Sequence, residues 1–211
     1  DSMNQRELQD RCEAYQVDKI MQIQAWGEQA HEGSFVLLGD SLINRFDEHL
    51  LDINKEVINC GIDGATSQTL YLVLDSVIRM KPDKIIFLIG TNDLDDAHEF
   101  DCLDITFALY NMISSISKQL PAVKIGIMTP LPIDESRQKT RARNNRTLKM
   151  LGNEMMALKD ELNHVEVLDL FALFSDAQGS LIDEMTTDGL HLNAQGYERL
   201  ANRLNEWLVS F

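Results

Sequence analysis

The sequence is poor in cysteine, and it has no long hydrophobic run. Its three cysteines, Cys12, Cys60 and Cys102, are odd in number and lack the close spacing of a disulfide framework or a zinc knuckle. They indicate reduced thiols and a cytoplasmic location. No apolar run approaches the ~20 residues of a membrane span, and the N-terminus lacks the apolar core of a signal peptide. Because the chain begins without methionine, removal of an upstream segment stays open.

Positive charge is also scarce. Nineteen Lys and Arg residues face 34 Asp and Glu residues, which gives a formal net charge of -15 and a pI near 4.6. This balance argues against nucleic acid, an anionic membrane surface or a highly anionic substrate as partner. It favours a neutral or cationic small molecule. Self-association is left open by the sequence.

The composition, with 44% hydrophobic residues in a chain of 211, is typical of one globular domain spanning residues 1–211. Five short apolar runs predict strands at residues 35–38, 56–60, 84–89, 123–128 and 165–168. Helical spacing predicts a helical N-terminal segment at about 5–27, before the first strand. It also predicts helices at 43–51 and 66–80, a helix that ends near residue 119, a helix within 134–162 and a last helix that begins at about residue 194. Alternating strands and helices predict a flavodoxin-like three-layer α/β sandwich with a parallel sheet of order 2-1-3-4-5.

Polar residues follow several of these strands. Ser41 comes after the first, Asn92 after the third, and Asp188 with His191 beyond the fifth. The carboxyl ends of parallel strands lie along one edge of a sheet, so these residues are expected to converge. Together they could perform acyl transfer, with Ser41 as nucleophile, His191 as base and Asp188 fixing the imidazole tautomer. The simpler alternative for Ser41 is a helix cap.

Acyl transfer also needs hydrogen-bond donors for the negative charge that develops on the carbonyl oxygen. The candidates are the backbone N–H groups of Ser41 and Gly64 and the side-chain amide of Asn92, although Gly61 could replace Gly64. Asp40 and Asp93 are expected to support the turns that carry the site rather than to take part in chemistry.

The other polar clusters of the sequence do not predict a metal site or a further catalytic site. The remaining histidines have no metal-ligand spacing, and the acidic run 93–104 lacks the glycine and spacing of an EF-hand loop. We therefore expect no metal ion. Six cationic residues between 137 and 149 are interpreted as a solvated helix face, with the substrate entrance or a subunit contact as alternatives.

The chain resembles the SGNH hydrolases, the GDSL esterase and lipase family, in four sequence blocks. In chain order they are Gly39-Asp40-Ser41-Leu42, Asn59-x-Gly61-x-x-Gly64-x-Thr66, Gly90-Thr91-Asn92-Asp93 and Asp188-Gly189-x-His191-Leu192. The likeness is greatest to the single-domain branch similar to platelet-activating-factor acetylhydrolases. It implies a flavodoxin-like fold and ester hydrolysis without metal or organic cofactor. It also implies a catalytic serine at Ser41, oxyanion donors at Gly64 and Asn92, and the Asp and His partners at Asp188 and His191.

We therefore expect a serine esterase that hydrolyses a small ester, acetyl or short-chain, through an acyl-enzyme on Ser41. A lysophospholipase, a thioesterase or an acyltransferase would use the same residues. A catalytically silent binding module is the alternative from another class, and it would be expected to lack the serine, histidine or asparagine that this chain retains.

Overall fold

Residues 3–210 are described by a computed structural model of the chain. Asp1, Ser2 and Phe211, the ends of the predicted domain 1–211, lie outside the described residues. The strands are β1 (Phe35–Gly39), β2 (Val57–Gly61), β3 (Lys84–Leu88), β4 (Lys124–Met128) and β5 (Val165–Leu168). The helices are α1 (Gln5–Gln9), α2 (Val17–Trp26), α3 (Ser41–Asn44), α4 (Ser67–Leu70), α5 (Leu74–Arg79), α6 (Cys102–Gln119), α7 (Asn145–Leu158), α8 (Leu170–Phe174) and α9 (Ala194–Ser210). Short 3-10 helices lie at Ala14–Gln16, Glu48–Leu50, Glu135–Arg137 and Asp183–Met185.

The five strands form one parallel sheet of order β2-β1-β3-β4-β5, which confirms the predicted fold and strand order. Apart from Lys84 and Lys124 at their first positions, the central strands β1, β3 and β4 are apolar, as expected for strands covered on both faces. Val36 and Phe87 face one apolar cluster, and Leu37 and Ile86 face the other. The first cluster includes side chains of α1, α2, α5, α6 and α7, and the second includes side chains of α3, α8 and α9. Helices therefore pack on both sides of the sheet.

The N-terminal segment is helical, as predicted for residues 5–27, but it is divided into α1, a 3-10 helix and α2. Leu8, Ile20 and Ile23 are fully buried in the first apolar cluster. The segment therefore packs on the helical layer over one face of the sheet. This packing carries the short Ala14–Gln16 helix to the edge where polar residues follow the strands.

Two predicted helices are wrong in extent. The helix expected at 43–51 ends at Asn44, where Asn59 Nδ2 donates to the carbonyl oxygen of Ile43, 2.7 Å away. The helix expected at 66–80 is divided into α4 and α5, and Gln24 Nε2 donates to the Leu72 carbonyl between them at 3.2 Å. In each case a side chain from another element binds a carbonyl that a continuous helix would use internally.

No helix within residues 3–210 is long and apolar enough to cross a membrane.

Candidate active site

Ser41 lies at the turn between β1 and α3. Asp40 precedes it as the helix N-cap, and its Oδ1 accepts a hydrogen bond from Leu42 N at 2.9 Å. Gly39 is required at the end of β1, because a Cβ there would overlap the carbonyl oxygen of Leu88 on β3. The sequence therefore forms a sharp strand-to-helix turn, and Ser41 is placed on the carboxyl edge of the sheet.

His191 meets Ser41 from the loop before α9. The Oγ atom of Ser41 is 3.1 Å from His191 Nε2, and His191 Nδ1 is 2.6 Å from Asp188 Oδ2. The other carboxylate oxygen of Asp188 accepts the backbone N–H groups of Leu190 and His191 at 2.9 and 2.7 Å. Asp188 therefore fixes the ring and the backbone of His191 together. With the ring proton on Nδ1, Nε2 is free to accept the proton of Ser41.

The hydrogen bonds around Asp188 also set its charge. Partial burial raises the pKa of the Asp188 carboxyl, but the hydrogen bonds from His191 and Leu190 outweigh it and lower the pKa to about 2. The carboxylate is consequently ionised at neutral pH, as a group that orients an imidazole must be.

Thr186 holds the loop that carries Asp188 and His191. Its hydroxyl donates to the His191 carbonyl at 2.6 Å and accepts Gly189 N–H at 2.9 Å. Gly189 has a φ of 82°, in the left-handed region that favours glycine. The Asp-Gly dipeptide at 188–189 is the sequence signal for the turn, whereas nothing in the sequence marks the role of Thr186.

Gly64 and Asn92 follow the two strands that flank β1. Gly64 has a φ of 70°, and its N–H meets no acceptor within residues 3–210. Asn92 Nδ2 donates one hydrogen to the Ala65 carbonyl at 3.0 Å, which leaves its second amide hydrogen for another acceptor. Gly61 N–H, in contrast, donates to Asn59 Oδ1 at 2.9 Å. Gly64 is therefore better placed than Gly61 to supply a free donor.

Two buried carboxyl groups lie behind the site. Asp93 accepts hydrogen bonds from the backbone N–H and the hydroxyl of Ser67, at 2.9 and 2.6 Å, and burial raises its pKa to about 6. Burial raises the pKa of Asp40 to about 7, and its Oδ2 has no hydrogen-bond partner within the described part of the chain. Both side chains brace the loops that carry Ser41 and Asn92.

Arg143 corrects the expectation that the cationic residues at 137–149 form a solvated face. Its side chain is only 5% exposed, and Nη1 donates to the Thr91 carbonyl at 3.2 Å. Nη2 lies 3.7 Å from Asp95 Oδ2, and the guanidinium charge also acts on Asp40. It is therefore a buried support for the loop after β3. Its place directly before the α7 N-cap, Asn144, gives no sequence signal of this role.

Within residues 3–210, no group of three or more His, Cys, Asp or Glu side chains is arranged to hold a metal ion.

A flavodoxin-like sheet with a serine, a histidine and an aspartate hydrogen-bonded in line at its carboxyl edge defines the class of this protein. The sequence model of the GDSL-like Lipase/Acylhydrolase family matches residues 24–199. The chain belongs to this family, the SGNH hydrolases, and it is a hydrolase that acts on ester bonds.

Relatives cover most of the chain at low identity. Rat platelet-activating factor acetylhydrolase IB subunit alpha2 is 24% identical over 186 residues, which are 84% of this chain and 77% of the relative. A structure from Streptococcus pneumoniae, provisionally described as a platelet activating factor, is 25% identical with a TM-score of 0.82, covering 96% of this chain and 97% of that one. The lipase/acylhydrolase from Enterococcus faecalis is 24% identical with a TM-score of 0.71, and the match covers 83% of this chain and 95% of that one.

Proposed function

We propose that the chain is a serine esterase that hydrolyses a small acyl ester through an acyl-enzyme on Ser41. The observation that carries the proposal is the line of contacts from Ser41 Oγ to His191 Nε2 and from His191 Nδ1 to Asp188. A helix cap would need only the turn at Ser41 and would leave the placement of His191 unexplained.

The first half of the reaction forms the acyl-enzyme. The hydroxyl proton of Ser41 passes to His191 Nε2 while Oγ bonds to the carbonyl carbon, and the carbonyl electron pair moves onto its oxygen. The N–H groups of Ser41 and Gly64 and the amide of Asn92 are the proposed donors to this oxyanion. The alcohol then leaves as the carbon–oxygen bond breaks, and it takes the proton from Nε2.

The second half returns the enzyme to its starting state. Water gives a proton to His191 Nε2 and attacks the acyl carbon, and collapse of the second oxyanion releases the carboxylic acid and the Ser41 hydroxyl. Asp188 stays ionised and stabilises the imidazolium in both halves. The steps proposed for this chain use only these side chains, two backbone N–H groups and water.

A short acyl group is supported by one of the relatives. The name of the rat relative includes acetylhydrolase, so acetyl is the first acyl group to test.

The experiment compares hydrolysis of p-nitrophenyl acetate, butyrate and octanoate by the wild type, by Ser41→Ala and by Ser117→Ala. Ser117 lies on α6, away from the site, and is the matched control. We expect Ser41→Ala to lose turnover while its Tm stays that of the wild type. In the wild type, we expect the rate to fall as the acyl chain lengthens. A fluorophosphonate probe should label Ser41 in the wild type. Equal rates in the wild type and Ser41→Ala would contradict the proposal.

A further inference from the structure

A groove opens beyond Gly64 and Asn92, the proposed oxyanion donors. It has a volume of about 700 Å³, and its walls come from the N-terminal segment on one side and the loop after β3 on the other. Tyr15 belongs to the first wall and Phe100 to the second. The groove is far larger than an acetyl group, so it offers room for another part of an ester substrate.

Tyr15 reaches from the N-terminal segment to Gly64. A Cβ built on Gly64 would overlap the Tyr15 hydroxyl, so the hydroxyl lies directly against the backbone of the proposed oxyanion glycine. The residue is 65% exposed, and its hydroxyl makes no hydrogen bond within residues 3–210. An exposed phenol with an unused hydroxyl beside a reaction site is suited to binding a ligand.

Neighbouring contacts hold Tyr15 in this place. Gln16 is buried, and its Nε2 donates to the Asp63 carbonyl at 2.9 Å, one residue before Gly64. The Gln16 side-chain oxygen accepts Glu13 N–H at 3.0 Å, which closes the short 3-10 helix. Burial, with the charges of Glu13 and Asp63, raises the pKa of Tyr15, so its hydroxyl stays protonated and can donate a hydrogen bond at neutral pH.

The other lining side chains indicate what the groove would accept. The lining includes the aromatic rings of Tyr15, Tyr71 and Phe100 together with hydrogen-bonding groups such as Gln68 and Asn92. Aromatic faces combined with a few directed polar groups suit a ligand that has both apolar faces and hydroxyls.

The charge of the protein disfavours one alternative. Glu13, Asp95 and Arg11 line the groove, and Asp95 is paired with Arg143, so the negative field there comes mainly from the net charge of -15. A phosphate on the substrate would be repelled by this field, whereas a neutral polyol would not.

We propose that the groove binds a neutral, hydroxyl-bearing part of the ester, of the kind found in an acylated sugar, and that the Tyr15 hydroxyl donates a hydrogen bond to it. The inference rests on the proposed function, because it concerns the substrate of the same site. Tyr15 is thus a specificity-determining residue contributed by the N-terminal segment.

The test uses three acetyl esters: p-nitrophenyl acetate, methyl 6-O-acetylglucopyranoside and 1-acetylglycerol 3-phosphate. For Tyr15→Phe we expect the kcat/KM ratio of the sugar ester to p-nitrophenyl acetate to fall about threefold to tenfold, the usual effect of losing one neutral hydrogen bond. Tyr110→Phe, a change in an exposed aromatic residue of α6, should leave this ratio unchanged. The wild type should prefer the sugar ester to the phosphate ester.

An unchanged ratio in Tyr15→Phe, or a preference for the phosphate ester, would overturn the inference. Fluorophosphonate labelling of Ser41 separates this outcome from failure of the proposed function, since labelling does not need the groove to be filled. If Ser41 were unlabelled and no ester were hydrolysed, saturation-transfer NMR with methyl glucopyranoside would test directly whether the groove binds a neutral sugar. A signal with the wild type that weakens in Tyr15→Ala supports the groove, and the absence of a signal overturns it.

Discussion

Ser41 Oγ and His191 Nε2 lie 3.1 Å apart although 150 positions separate the two residues in the chain. The parallel sheet creates this proximity, because β1 ends in the turn that carries Ser41, and the loop before α9 brings His191 to the same edge. The Tyr197 hydroxyl, on α9, also donates to the Leu42 carbonyl at 2.7 Å. The helix that follows His191 is thereby tied to the helix that begins at Ser41.

Replacement of Asp188 by asparagine tests the orientation of His191. Asparagine keeps the size of the side chain but removes the charge that selects the Nδ1 proton, so Nε2 would no longer be a reliable acceptor for Ser41. We expect kcat to fall by about 10³- to 10⁴-fold, as for the same change in other triads. Steady-state kinetics with p-nitrophenyl acetate measures the effect, and Asp160→Asn, at an exposed turn, is the control. A loss below tenfold would remove Asp188 from the proposed mechanism.

The sheet and the four polar blocks could be predicted because their signals are local. Continuous apolar runs such as residues 84–89 indicate buried strands, and Gly, Asn or Asp residues follow at the point where a strand ends. Parallel topology then brings those breaks to one edge without any knowledge of contacts. The sequence predicts that Ser41 pairs with His191, and the structure gives the distance between the two side chains.

The remaining features depend on distant partners and could not be predicted. Asn59 ends α3 by binding the Ile43 carbonyl, and Gln24 binds the Leu72 carbonyl where α4 and α5 separate. Arg143 carries the same sequence signal as its solvated neighbours but is buried against Thr91. Each outcome is decided by tertiary contact, which local propensity does not encode.

Removal of the Asn92 side chain tests the oxyanion assignment. Asn92→Ala deletes one proposed donor to the transition state, so we expect kcat to fall by about 10²- to 10³-fold with little change in KM. Because Asn92 also donates to the Ala65 carbonyl, thermal unfolding must be measured beside the kinetics. Asn153→Ala on α7 serves as the surface control. An increase in KM at constant kcat would show that Asn92 binds the substrate instead.

The buried carboxyl of Asp40 predicts how stability depends on pH. Its pKa is raised to about 7 by burial, above the ~3.9 of an unfolded aspartate, so the folded state binds its proton more tightly. This contribution to the free energy of unfolding is full below pH ~4 and is lost as the pH rises to about 7. Asp188, whose pKa is lowered, acts in the opposite direction but only at lower pH.

In Asp40→Asn we therefore expect a smaller decline of Tm between pH 4.5 and 7.5 than in the wild type, because asparagine does not titrate and can still accept Leu42 N–H. The pKa of Asp93, raised to about 6, leaves part of the decline in place. Thermal unfolding across this pH range measures both slopes, with Asp160→Asn as control. Parallel curves for the variant and the wild type would refute a buried titration at Asp40.

Arg143 is expected to support the site through Thr91 and through its charge near Asp40. Arg143→Met keeps much of the apolar volume but removes the hydrogen bond to the Thr91 carbonyl, a loss of about 1–3 kcal/mol when the acceptor stays buried. For a chain of this size, that corresponds to a fall in Tm of about 2–12 °C. Arg146→Met, at an exposed position of α7, should change Tm little.

The interaction of Arg143 with Asp40 is isolated by a double-mutant cycle with Asp40→Asn at pH 8, where Asp40 is ionised in the wild type. Because the guanidinium charge favours the ionised carboxylate, Arg143→Met should cost less stability in the Asp40→Asn background than in the wild type. Equal costs in the two backgrounds would mean that Arg143 acts on the Thr91 loop alone.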